Sequence, residues 1–267
     1  MSTTSIGIAI QGPTNYYKKL LACYHGHSDI VWSTWKSEPQ SNLDQIREAG
    51  ITLILNDEPS TPGIGYINYQ CVSAYTGLQT LAAREKYEYV MKVRSDLIFN
   101  DVETLRQNTQ LALKDRKLAF ISSHKLKGGY LIDYIVAGKA EDVLEYWKPE
   151  IHPASGAPHP EQWLQDRYFG IQNNWNQFID KNVALISFKD LSIYSLKYKY
   201  FLNEHPRWFY GINNPDAKNG YYANFSAASS WLYRKYIRHS LAKKKTRKEL
   251  LAWKAISELQ SNSKQGI

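Results

Sequence analysis

Tyr87-Glu88-Tyr89-Val90-Met91-Lys92-Val93-Arg94-Ser95-Asp96-Leu97-Ile98-Phe99-Asn100-Asp101 is a short apolar run that meets Arg94, Ser95 and Asp96 and then resumes. Val90, Met91 and Val93 are the residues of a buried strand. Asp96 therefore falls at a strand's carboxyl end, where open α/β sheets bind ligands. A carboxylate in that position needs a compensating cation. Two are available to it: the adjacent Arg94, or a divalent ion bridging a nucleotide diphosphate, since hard carboxylate oxygens suit Mg²⁺ or Mn²⁺.

The flanking sequence repeats the same logic. Residues 5–10 form a small-residue strand that breaks at Gln11-Gly12-Pro13, and residues 29–35 and 51–55 read as two further strands. Helical spacing separates them at 16–24 and 41–49, which indicates βαβ units and a mostly parallel sheet. A Pro/Gly/Ser loop over 59–65 precedes a helix over 69–84, whose leading polar residues Asn68, Gln70 and Ser73 start it near the ligand face. Beyond the 87–93 strand the spacing predicts a helix over 101–114 and a strand over 118–122. A strand-like run follows over 130–137 with Asp133 inside it, then a short helix over 141–147. Pro160 stands at the entrance of a helix over 161–169. A late strand is expected at 183–187, and 189–231 reads as an aromatic, loop-rich stretch containing His205.

The chain of 267 residues carries a formal net charge of +8, which suggests nucleic acid until it is divided along the sequence. Residues 232–267 hold ten Lys and Arg against two Glu, so the other 231 residues balance at 23 against 23. The excess belongs to a tail. Trp231, Leu232, Tyr236, Ile237, Leu241, Leu250, Leu251, Trp253 and Ile256 interrupt it at amphipathic spacing, the pattern of a peripheral anchor on an anionic inner-membrane surface. No nucleic-acid partner is expected. The division expected is a catalytic domain over 1–231 and a basic helical tail over 232–267. Cys23 and Cys71 have no metal-ligand spacing, the polar start of the chain is unlike a signal peptide, and no run reaches the ~20 apolar residues of a spanning helix. The expected location is cytoplasmic, at the inner membrane.

Ile8-Ala9-Ile10-Gln11-Gly12-Pro13, Ser33-Thr34-Trp35-Lys36, Asn68-Tyr69-Gln70-Cys71-Val72-Ser73 with Gly77-Leu78, and Val90 through Asp96, taken in that order, resemble the WavE-type lipopolysaccharide synthesis family over about residues 6–170. The resemblance implies an α/β, GT-A-like and Rossmann-like fold. It further implies a glycosyltransferase that moves a sugar from a nucleotide-sugar donor to a bacterial surface glycan such as lipopolysaccharide core, O-antigen or capsule. In such enzymes an Asp-x-Asp element holds a metal and the donor diphosphate. Arg94-Ser95-Asp96 stands in its place without the first Asp, so the need for Mn²⁺ or Mg²⁺ stays open. The candidate donor-binding residues are Gln11, Gly12, Gln70, Ser73, Lys92, Arg94, Ser95 and Asp96; Asp96 is the metal ligand the resemblance implies, and His205, beside Pro206 in the aromatic stretch, is the late-chain candidate for a further one.

Inverting transfer also needs a base beside the acceptor hydroxyl. Glu161, at a late helix start, is the first candidate and Asp133, within an apolar run, the second. Two other functions compete. A sugar-phosphate nucleotidyltransferase would carry a basic Gly-rich phosphate loop after the first strand, which Gln11-Gly12-Pro13-Thr14-Asn15 is not. A non-enzymatic basic module would bind membrane or nucleic acid through the tail and leave Asp96 without a role.

Overall fold

The computed structural model describes residues 6–121, 131–152, 159–172, 175–187, 191–197 and 199–201. The chain divides into two compact units, Met1–Asn213 and Asn214–Ile267. The second unit, like the tail expected from residue 232, lies outside the described residues.

The first unit is α/β and Rossmann-like, the class expected. Its elements open with β1 (Ile6–Gln11), α1 (Tyr17–Tyr24), β2 (Ile30–Trp35), α2 (Gln40–Glu48), β3 (Thr52–Asn56), α3 (Ile67–Ala82) and β4 (Tyr89–Arg94). They continue with β5 (Leu97–Phe99), α4 (Val102–Leu113), β6 (Leu118–Phe120), β7 (Ile135–Gly138), α5 (Ala140–Trp147), α6 (Pro160–Phe169), α7 (Trp175–Asn182), β8 (Val183–Leu185), β9 (Ile193–Ser195) and β10 (Tyr200–Phe201). Seven strands form one sheet in the order β3-β2-β1-β4-β7-β6-β8, and β10-β9-β5 make a small second sheet. In the large sheet only β7 runs against its neighbours.

Both faces of the sheet are covered, which is why β1, β2 and β4 read as continuous apolar runs rather than alternating ones. Alternate β4 residues nevertheless go to different helices. Met91 meets Thr109 of α4, with sulfur and hydroxyl 3.7 Å apart, and Lys92 meets Trp147 of α5. α3 lies close against β1 and β2, because a Cβ on Gly77 would fall 3.1 Å from the Cβ atoms of both Ala9 and Ser33.

Two expectations are corrected. Asp133 does not lie within a strand: β7 begins at Ile135, and the main chain of Leu131 is held instead by the Gln165 side chain, which accepts from its N–H at 2.9 Å and donates to its carbonyl at 2.7 Å. Leu131 makes only an isolated bridge there, and the run 131–137 is buried throughout and gives no alternation to betray the end of the strand. α7 fills a stretch to which the sequence reading assigned no element. β9 and β10 lie within the segment read as loop, being too short to show a period.

Candidate functional site

The chain builds β1, β2 and β3 outward in one direction and places β4 on the other side of β1, so the strand order reverses at the β1/β4 pair. This is the switch point whose carboxyl ends form a crevice. Gln11 and Arg94 are partners in the register there, and the Ser95 N–H donates to the Gln11 carbonyl at 2.8 Å. The strand ends approach this closely because residue 12 is glycine. Its φ of +122° lies where side chains are strained, and a Cβ would fall 2.7 Å from Ser95 Oγ. The Gln11 amide donates to Ser73 Oγ at 3.0 Å, and that hydroxyl donates to the Tyr69 carbonyl at 2.7 Å, which ties α3 to the end of β1. Trp32 Nε1 donates to the Gly12 carbonyl at 3.1 Å. Gln11, Gly12, Ser73 and Ser95 are therefore brought together as a hydrogen-bonded frame. Gln70 is turned to the loop before α3, donating to the Gly65 carbonyl at 3.1 Å.

Arg94 and Asp96 face each other as a bidentate pair, Nε to Oδ1 at 2.9 Å and Nη2 to Oδ2 at 2.7 Å, with side chains 19% and 11% exposed. Burial works against the guanidinium charge, but Asp96 outweighs it and raises the Arg94 pKa. The cation that compensates Asp96 is thus Arg94, which also stacks 4.5 Å from the centre of the Tyr134 ring. Among the described residues no group of three or more His, Cys, Asp or Glu is placed to hold a metal ion, and both Asp96 oxygens are already engaged. These residues do not by themselves fit Mn²⁺ or Mg²⁺, and His205 lies outside the described residues. Two of the five guanidinium N–H groups go to Asp96, and the others remain to meet an anion.

Asp133 and Glu161 complete the cluster. Asp133 is 3% exposed, and its charge is felt by Lys92, Arg94 and Glu161. Glu161 sits in the first turn of α6, where Pro160 at the helix start meets no cost for its missing N–H. Pro160 packs on the loop before α3 so closely that a Cβ on Gly65 would lie 2.9 Å from its Cγ. Desolvation raises the Glu161 pKa, and the nearby Asp133 charge raises it further, against a 3.2 Å contact with His159 Nδ1 that lowers it. A carboxyl tuned upward in this way is chemically a proton acceptor. Tyr134 and Gln165, which support Arg94 and the Asp133 segment, carry no sequence signal beyond adjacency to Asp133 and a place on α6.

No family model matches this chain, and no curated protein matches it. Among solved structures it is similar to a Bacillus anthracis protein provisionally named a glucose-1-phosphate thymidylyltransferase, crystallised in complex with a sucrose. The likeness covers 61% of this chain and 84% of that one, with 11% identity and a TM-score of 0.35.

Proposed function

We propose that the protein is a nucleotide-sugar-dependent glycosyltransferase of the kind the WavE-type resemblance implies, acting on a bacterial surface glycan, with its basic tail in contact with an anionic membrane. The observation that carries the reading is the pairing, around the Asp133 segment, of a proton acceptor, Glu161, with a partly uncommitted guanidinium, Arg94. In the reaction Glu161 takes the proton of the acceptor hydroxyl as that oxygen bonds to the anomeric carbon. The anomeric C–O bond breaks, and its electron pair leaves on the nucleoside diphosphate, whose growing charge Arg94 meets. No step passes through a metal ion, so nucleotide binding is expected to survive EDTA.

The nucleotidyltransferase alternative is disfavoured by the loop after β1. The Thr14 N–H donates to the Glu38 carboxylate at 3.1 Å and the Thr14 hydroxyl also bonds it, so an acidic group occupies the place a triphosphate cradle would need. Thermal-shift titration with UDP, GDP and CDP against UTP and dTTP separates the two. Stabilisation by a diphosphate supports the transferase, and stabilisation by triphosphates alone overturns it.

A further inference from the structure

The α3/α5 face of β4 is a place for apolar side chains, and Lys92 breaks the pattern. It stands opposite Ala9 in the register and has no exposed surface. A fully buried Lys is rare unless paired. Its Nζ donates to the main-chain carbonyl of Asp133 at 2.8 Å and lies 4.3 Å from the centre of the Trp147 ring. Asp133 is itself buried, and its Oδ2 accepts no hydrogen bond from any described residue. A buried carboxylate oxygen without a donor is costly, more so than a neutral acceptor. What satisfies it has to present a donor: a phosphate brings only like charge, whereas a hydroxyl forms a short charge-assisted bond.

We propose that Asp133 reads a hydroxyl of the donor's sugar, and that Lys92 is a positioning residue that fixes the Asp133 main chain from behind so that Oδ2 meets that hydroxyl. The proposal rests on the glycosyltransferase reading. The titratable groups facing Lys92 are the Asp133 carboxylate from the segment before β7, Arg94 at the end of β4 and Asp96 in the turn after it, and the Cys71 thiol from α3, with the Asp133 charge acting on Glu161 of α6 in turn. Desolvation lowers the Lys92 pKa to about 8, against the pull of Asp133, so the clamp loses its charge just above neutrality.

Calorimetry with UDP, GDP and CDP, and with UDP-glucose, UDP-galactose and GDP-mannose, tests both layers. The quantity to follow is the ratio of Kd for the hexose derivative to Kd for the bare diphosphate. Asp133→Asn is expected to raise that ratio about 10-fold or more, with the bare diphosphate unchanged. In the wild type the ratio rises as pH passes about 8, and in Lys92→Met it is raised and flat with pH. A ratio unchanged in Asp133→Asn, or a wild-type alkaline rise that persists in Lys92→Met, overturns the proposal. Should Lys92→Met not fold, the wild-type pH titration decides alone, a flat ratio refuting the clamp. Failure of every diphosphate to bind overturns the glycosyltransferase reading itself, and this inference with it.

Discussion

Asp96 shows how one residue supports two expectations that differ in consequence. A metal ligand at the rim can be changed to Asn without harm to the fold, but a carboxylate that receives both arms of a mostly buried guanidinium cannot. Asp96→Asn leaves Arg94 without its counter-charge and is expected to destabilise the fold by about 1–3 kcal/mol, read as a lower Tm, together with weaker diphosphate binding. A wild-type Tm would return Asp96 to the role of metal ligand. Glu161→Gln tests the base: kcat falls about 10²–10⁴-fold while bare-diphosphate affinity holds, and the product anomer is inverted. The pH profile carries the sign. Glu161 must be ionised to act, and its folded pKa is raised by desolvation first and by Asp133 second, so the acid limb of kcat/KM lies above the ordinary Glu value of about 4.3. Asp133→Asn removes the second cause and moves that limb to lower pH. A limb that stays in place separates the two carboxyls.

At the scale of elements, β1 to β4 were legible as short apolar runs bounded by turn residues and α1 to α3 by their helical spacing, and the break expected at Gln11-Gly12-Pro13 starts on the last residue of the observed β1. Legibility failed where a distant side chain holds the main chain, as Gln165 does at Leu131, and where three-residue strands such as β9 exist only through their neighbours. Within the site, the ends of β1 and β4 were readable from position alone. The Arg94–Asp96 pairing was readable only as one of two ways to compensate Asp96, and the contact of buried Lys92 with the Asp133 carbonyl was not readable, since they depend on rotamers and on α5 packing across β4. α3 offers the test at this scale. Its Gly77 lets the helix approach the Cβ atoms of Ala9 and Ser33, so Gly77→Val forces α3 away from β1 and β2. The expected cost is about 1–3 kcal/mol, and because Ser73 lies one turn earlier on α3, its bond to Gln11 loosens too. A denaturation midpoint equal to wild type would show that the helix is not held that tightly.

For the whole molecule, the balanced charge of residues 1–231 and the +8 of residues 232–267 are the basis on which catalysis is proposed for the body and attachment for the tail. No helix among the described residues is long and apolar enough to cross a membrane; the proposed hold on a lipid surface is adsorption through the tail. Each suitably placed Lys or Arg contributes about 1 kcal/mol near an anionic leaflet, and that attraction is screened within about 10 Å at 0.1 M salt. Deleting residues 240–267 removes seven of the tail's ten basic residues and both of its Glu. It is expected to abolish co-sedimentation with phosphatidylserine vesicles at low salt while leaving diphosphate binding unchanged, because Gln11, Ser73, Arg94 and Asp96, the groups named for the crevice at β1 and β4, all precede that segment. The full chain should itself release from the vesicles as salt rises, whereas an anchor held mainly by Trp231, Leu232 and Trp253 would stay bound. Equal sedimentation with and without the segment would place the contact elsewhere on the protein.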